Sequence, residues 1–325
     1  TGYYECCGNI ASFMWNWRML QATGEAKYAD IMEQVLYNGI LCGVSLDGLT
    51  NFYTNPLEHD GETSMGASWR GTPNLGINRR TTKHWDRTPC CPPNIARLLG
   101  SLPGYMYGIT ENTLYIHHFM ASQADLNVGD TGVRVIQETD YPWDGEIAIT
   151  VIPEKEMTMK LALRIPRWIK GAEIKVNGET LKDKPEPGTY HITDRAWEQN
   201  DEVTLHLPMP VDKTYAHPRL AEDSGCVALQ RGPILYCIES VDHPEHDIYN
   251  LVLSKNDAIV SEYRDDLLDG VVVLRGKAFV RDNQEALYVR GEPGYAGETE
   301  LFAVPYFAWA NREPGAMRVW LPLKE

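Results

Sequence analysis

What most constrains the fold of this chain is a change of period near residue 105. Before it, apolar residues recur every three or four positions; after it, they alternate. Residues 8–23 read as a helix with Ile10, Phe13, Met14 and Trp17 on one face and Gly24 closing it. A second helix is predicted over 25–42, with Tyr28, Ile31, Met32, Val35 and Leu36 on its buried stripe. Residues 43–48 read as a turn and 51–56 as a short extended segment. Residues 59–89 are rich in Gly, Thr, Arg and Asp and read as a long loop, which inside a compact domain usually serves function. A third helix follows Cys90-Cys91: Pro92 and Pro93 suit a first turn, Ile95, Leu98, Leu99 and Leu102 keep helical spacing, and Pro103-Gly104 ends it.

Past that point, Leu114-Tyr-Ile-His-His-Phe, Gly132-Val-Arg-Val-Ile, Glu146-Ile-Ala-Ile-Thr-Val and Glu202-Val-Thr-Leu-His-Leu read as strands with turn residues between them. A second strand-rich stretch runs from Cys226-Val-Ala-Leu-Gln to Met317-Arg-Val-Trp-Leu. The chain is therefore expected to be α+β and multidomain: a helical block over 1–105, an antiparallel β-sandwich over 106–212 and a second over 213–325. No internal repeat and no low-complexity segment interrupts this order.

The net charge of −15 leaves no basic excess for nucleic acid, and no apolar run reaches the ~18–20 residues of a membrane span. The opening Thr1-Gly-Tyr-Tyr-Glu-Cys-Cys has no initiator Met and no signal-peptide pattern, so the chain reads as the C-terminal part of something longer and its localisation stays open. Nine Trp and seventeen Tyr suit sugar-binding surfaces as well as ordinary core packing.

The chain has seven cysteines: Cys6, Cys7, Cys42, Cys90, Cys91, Cys226 and Cys237. An odd count with two vicinal pairs is a poor disulfide framework and favours reduced thiols with metal or catalytic roles. Cys42 reads as core. Cys226 and Cys237 are expected to face each other across a hairpin at Gly232-Pro233. Both vicinal pairs precede a predicted helix, where free N–H groups and the macrodipole favour thiolate. If those helices lie side by side with one polarity, Glu5, Cys7, Cys90 and Cys91 converge into a four-coordinate shell suited to Zn²⁺. Spacing alone allows Cys6 in place of Cys7. His117 and His118 alternate on a strand and are not expected to share a metal.

Four stretches carry a family resemblance: Glu5-Cys-Cys7, Asn51-Phe-Tyr-Thr-Asn-Pro-Leu-Glu58, Cys90-Cys-Pro-Pro-Asn-Ile-Ala-Arg97 and Pro305-Tyr-Phe-Ala-Trp-Ala-Asn-Arg312. Together they resemble the β-L-arabinofuranosidases of glycoside hydrolase family 127 and the related family 146. The resemblance implies the last helices of an (α/α)6 barrel followed by two β-sandwich domains. It implies Zn²⁺ held by Glu5, Cys7, Cys90 and Cys91, with Cys90 as the nucleophile of a retaining hydrolase. It also implies a general acid/base Glu upstream of residue 1 and sugar contacts from Glu33 and Tyr53. Residue by residue, the other readings are a solvated helix carboxylate for Glu33 and a packed strand aromatic for Tyr53.

Some members carry a sugar-binding His where this chain has Thr88; His84 is a loop candidate for that place. The implied substrate is a terminal β-L-arabinofuranoside in an arabinofuranose-containing glycan, and a homodimer is an allowed assembly. The competing reading is a non-catalytic, zinc-stabilised carbohydrate-binding or scaffold protein, and a thiol-redox protein ranks third because no Cys-x-x-Cys is present.

Overall fold

The computed structural model describes residues 4–62, 80–81, 90–282, 288, 290–291 and 294–324. The described residues are mostly strand, with three α-helices: α1 (Cys6–Thr23), α2 (Ala26–Val35) and α3 (Cys91–Ser101). Among the described residues, no helix is long and apolar enough to cross a membrane. Two compact units emerge, one comprising Thr1–Asn9, Tyr37–Ile95 and Val211–Glu325, the other Ile10–Leu36 and Ala96–Pro210. The first turns of α1 and α3 fall in the first unit.

Helix α1 begins at Cys6, two residues earlier than its apolar period suggests, so Cys7 sits inside the first turn. It ends as expected: Gly24 adopts φ +70° and its N–H bonds Leu20 O at 2.8 Å. The predicted second helix does not run unbroken to Cys42. It gives way to a π-helical turn over Leu36–Ile40 and a 3₁₀ turn over Leu41–Gly43. Within the first unit, Asn9 Nδ2 donates to Gly39 O at 2.9 Å, and a Cβ at Gly39 would sit 2.9 Å from that amide. Such side-chain capture of a helix carbonyl is how π-bulges are sustained.

The buried face of α2 also departs from the predicted stripe. Ala26, Ala29, Met32 and Glu33 are buried, whereas Ile31 is exposed. The reason lies in the second unit, on strand Met157–Ile165. Its residues Leu161 to Ile165 are all buried, so Arg164, 0% exposed, must find all its partners inside. Its Nε donates to His117 O at 2.6 Å, Nη1 to Asp30 Oδ1 at 2.7 Å, and Nη2 to Glu33 Oε1. Burying a carboxylate face of α2 satisfies that guanidinium; burying Ile31 would not.

The second unit holds two sheets. One is six-stranded and antiparallel, in the order Glu179–Thr180, Glu173–Val176, Asp201–His206, Glu146–Pro153, Thr131–Glu138, Ser122–Val128. Burial alternates along its strands: Val133, Val135, Ile147, Ile149 and Val151 are buried while Arg134 and Glu138 are exposed. The other is four-stranded, in the order Thr189–Trp197, Met157–Ile165, Thr113–Ile116, Tyr107–Ile109, and its central pair, Thr113–Ile116 with Met157–Ile165, runs parallel.

The first unit is built on a ten-stranded sheet running from Val211–Tyr215 at one edge to Glu58–His59 at the other. Cys226 pairs with Pro322 and Cys237 with Val304, so the two thiols are not hairpin partners, and both are free. The hairpin closes two residues either side of its turn, with Gln230 opposite Leu235; farther along, each strand takes another neighbour. Cys42 is buried, as expected.

Two of the motif stretches meet on this sheet. Phe52 stacks on Trp309 at 4.7 Å, Tyr306 Oη donates to Pro56 O at 2.8 Å, and Val319 N–H bonds Leu57 O at 2.9 Å. Arg312 locks the far end through Glu239 and Asp242, at 2.7 and 2.6 Å. The segment over 51–59 is thereby fixed to the sheet, and its other edge carries the start of α1: Cys6 N–H bonds Tyr53 O and Asn55 N–H bonds Tyr4 O, each at 3.0 Å.

Candidate metal centre

That register places Glu5 as the residue before α1, bridged to Thr54, and Cys7 one step inside the helix. Cys90 likewise precedes α3 and Cys91 opens it, with Pro92 and Pro93 in the turn where a missing N–H costs nothing. Ligand atoms of Glu5, Cys7, Cys90 and Cys91 all lie within 4.8 Å of one another. Cys7 Sγ is 3.6 Å from Cys91 Sγ, Cys90 Sγ is 3.8 Å from Cys91 Sγ, and the Cys90 thiol reaches Glu5 Oε1 at 3.6 Å. Four ligands about 2.3 Å from one ion on a tetrahedron stand about 3.8 Å apart. The donor set, three sulfurs and one carboxylate, and its edge lengths therefore fit a tetrahedral thiophilic cation such as Zn²⁺.

The helix starts alone do not make these thiols acidic, contrary to the expectation from position. Burial pushes the Cys7 and Cys90 thiols up, and hydrogen bonding to Cys6 together with burial pushes Cys91 up. Packed sulfurs raise one another's cost of ionising; relief requires a positive charge among them, which a coordinated cation supplies.

The four donors are unequal. Cys91 is fully buried, Cys7 half-buried and Cys90 exposed. Asn94, one turn into α3, donates Nδ2–H to Cys7 Sγ at 3.0 Å. No amide donor reaches Cys90 among the described residues. Asn94 belongs to the Cys90–Arg97 motif and stands three residues after Cys91 on the same helix face, a spacing that the sequence shows.

Cys6 is not one of the four donors, although it neighbours Cys91. Its Sγ donates to Phe52 O at 3.4 Å and accepts from Asn55 Nδ2 at 3.1 Å. A Cβ at Gly43 would fall 2.0 Å from that sulfur, so only glycine leaves room for it.

Tyr53 is buried at 8% exposure on the segment that receives the Cys6 N–H. Glu33 lies in the second unit and is not solvated. Besides Arg164, its carboxylate accepts from Tyr141 Oη at 2.6 Å and Trp168 Nε1 at 3.3 Å. His84 and Thr88 lie outside the described residues. His117 and His118 follow the strand Thr113–Ile116; His117 meets Tyr190 and Trp17, and His118 stacks on Phe13.

Compared with known proteins, this sheet-rich chain with its sulfur shell falls among the glycoside hydrolases. Residues 1–104 match the family description of the β-L-arabinofuranosidase GH127 catalytic domain, 113–209 the GH127 middle domain and 211–322 the glycoside hydrolase family 127 C-terminal domain. The chain belongs to glycoside hydrolase family 127.

It is 36% identical over 341 residues to the non-reducing end β-L-arabinofuranosidase of Bifidobacterium longum subsp. longum, spanning 98% of this chain and 49% of that protein. A GH127 β-L-arabinofuranosidase from Geobacillus stearothermophilus T6 superposes with TM-score 0.90 at 40% identity, covering 99% of this chain and 50% of that one. A further structure, a GH127 β-arabinofuranosidase, gives TM-score 0.87 at 31% identity over 99% of this chain and 50% of that one. The chain thus spans about half the length of these relatives.

Proposed function

We propose that this chain carries the metal-bound nucleophile of a retaining β-L-arabinofuranosidase that releases L-arabinose from the non-reducing ends of arabinofuranose-containing glycans. The observation that carries the reading is the Glu5, Cys7, Cys90, Cys91 shell, in which Cys90 alone is exposed. A purely structural zinc site is closed, whereas a reactive one opens to solvent or substrate; the exposed Cys90 sulfur is where this shell opens. This asymmetry favours the hydrolase over the non-catalytic scaffold.

Glu5, Cys7, Cys90 and Cys91 would hold Zn²⁺, and the ion would supply the positive charge that keeps the Cys90 sulfur deprotonated near neutral pH. The sulfur of Cys90 attacks the anomeric carbon as the glycosidic oxygen departs, giving a thioglycosyl enzyme. Water then attacks the same carbon from the opposite side and the sulfur leaves, so two inversions retain the configuration. Protonation of the leaving oxygen and activation of water fall to a general acid/base. Tyr53 is the proposed sugar contact; Glu33, which the resemblance also implies, has both carboxylate oxygens taken by Arg164, Tyr141 and Trp168 in the second unit.

In the same reading, residues 1–105 supply the last helices of an (α/α)6 barrel, and 106–212 and 213–325 form two β-sandwich domains. The deciding experiment assays the full-length protein on an aryl β-L-arabinofuranoside and measures bound metal. About one zinc per chain, turnover abolished by Cys90→Ser, and retained anomeric configuration are expected; full turnover by Cys90→Ser refutes the proposal.

A further inference from the structure

His117 is left without a task by the metal-centre reading, yet its surroundings are unusual. It lines a cavity of about 490 Å³ built entirely within the second unit, between the end of α1 and strands Tyr107–Ile109, Thr113–Ile116 and Thr189–Trp197. Such a volume lies within the range of small-molecule pockets. Trp17, Tyr115 and Tyr190 supply aromatic walls. These rings brace one another through His117. Tyr115 stacks on it at 5.9 Å, Trp17 meets it edge-on at 5.8 Å, and Tyr190 stands edge-on to Tyr115 at 5.3 Å. The walls are therefore pre-formed, and a ligand need not order them.

The polar groups converge as well. His117 is 5% exposed, and its Nδ1 is engaged by Tyr190 Oη at 2.6 Å. Its Nε2 has no partner among the described residues. A Cβ at Gly108 would fall 2.4 Å from Nε2; glycine at this place leaves the nitrogen its clearance. Gln21 has its carbonyl oxygen taken by Arg18, which leaves its amide N–H groups to the cavity, and Tyr115 Oη and Thr110 Oγ1 have no partner among the described residues.

The charge balance selects the ligand class. No Asp, Glu, Lys or Arg lines the cavity, and burial with the nearby Arg164 pushes the His117 pKa down to about 3, so the ring is neutral. Phosphates, carboxylates and metal ions would find no counter-charge. A neutral imidazole nitrogen, phenol and amide beside aromatic faces instead suit a ligand with apolar C–H faces and hydroxyls that both donate and accept. We infer that this cavity is a binding pocket for a neutral saccharide unit, separate from the cysteine centre and independent of its chemistry.

The test is saturation-transfer NMR and calorimetry on the whole chain with α-1,5-arabinotriose, xylotriose and maltotriose as neutral probes and D-galacturonate as a charged one. At least one neutral probe should bind. Trp17→Ala should weaken that binding at least tenfold, and the exposed, fold-neutral Gln21→Ala about threefold. Gly108→Ala, which crowds Nε2, should abolish it, whereas Cys90→Ser should leave it within twofold. Absence of neutral-probe binding overturns the inference. So do preference for galacturonate, binding indifferent to Trp17 and Gln21, and binding lost with Cys90→Ser but kept with Trp17→Ala. A protein that fails to hydrolyse arabinofuranosides yet shows the expected pattern here would sink the metal-centre reading alone.

Discussion

Asn94→Ala gives the sharpest view of how the cysteine centre is held. The substitution removes the amide that donates to Cys7 Sγ at 3.0 Å and nothing else of consequence, because the Asn94 N–H to Cys90 O bond, at 3.3 Å, belongs to the backbone and survives. A hydrogen bond to a charged acceptor contributes roughly 1.5–3 kcal/mol. Once Cys7 is a metal-bound thiolate, its loss corresponds to about 10- to 100-fold weaker metal binding, the usual range for groups that orient a ligand from behind. Asn94→Asp keeps the shape but replaces a donor with a negative acceptor facing sulfur, and should weaken binding further.

Zinc affinity is read by competition with a chromophoric chelator, and cobalt-substituted protein reports the sulfur ligands through charge-transfer absorption. Asn94→Ala should lower affinity and shift that absorption. The control is Asn55→Ala, which strips the donor from Cys6 at 3.1 Å and should leave the spectrum in place even where stability falls. Zinc affinity within about threefold of wild type for Asn94→Ala, with Cys7→Ser losing the metal, would refute the reasoning.

Three further outcomes are expected. Arg164→Met strands the buried carboxylate of Glu33 and the half-buried one of Asp30, and should cost about 3–5 kcal/mol in urea unfolding; less than about 1 kcal/mol would mean that Glu33 reaches water too. Gly43→Ala pushes a methyl to 2.0 Å from Cys6 Sγ and should cost about 1–3 kcal/mol. Adding Cys6→Ala should recover much of that cost, and strict additivity would argue that the backbone had moved instead. The neutral state of buried His117 and His118 should make the protein acid-sensitive. Burial and Arg164 depress both pKa values in the folded chain, so their contribution is complete above about pH 6.5 and is lost as unfolded histidines take up protons below it. Between pH 8 and 5.5 stability should fall by on the order of 1 kcal/mol or more; urea midpoints unchanged over that range would contradict it.

Much of this protein was legible in its sequence because the relevant signals are local. A period of 3.6 before residue 105 and of 2 after it reflects which side of an element meets water, and Pro-Pro after Cys91 marks a helix start whatever surrounds it. The vicinal cysteines, each heading a helix, point through spacing and helix polarity to a sulfur-rich shell with either Cys6 or Cys7 in it, and the family resemblance implies Cys7.

What the sequence could not decide was set by partners far away in the chain. Whether Cys6 or Cys7 joins the shell depends on Phe52, Asn55 and the space left by Gly43. The rotation of α2 that buries Glu33 and exposes Ile31 depends on Arg164, more than 130 residues on. The π-helical turn at Leu36–Ile40 depends on Asn9 reaching Gly39 O. Burial raises the pKa of Cys90, and Cys6 with burial raises that of Cys91, through neighbours that spacing does not show. Periodicity records the average polarity of a residue's surroundings. Buried charges, shared carbonyls and crowded sulfurs answer to one specific neighbour, and only the tertiary structure says which neighbour that is.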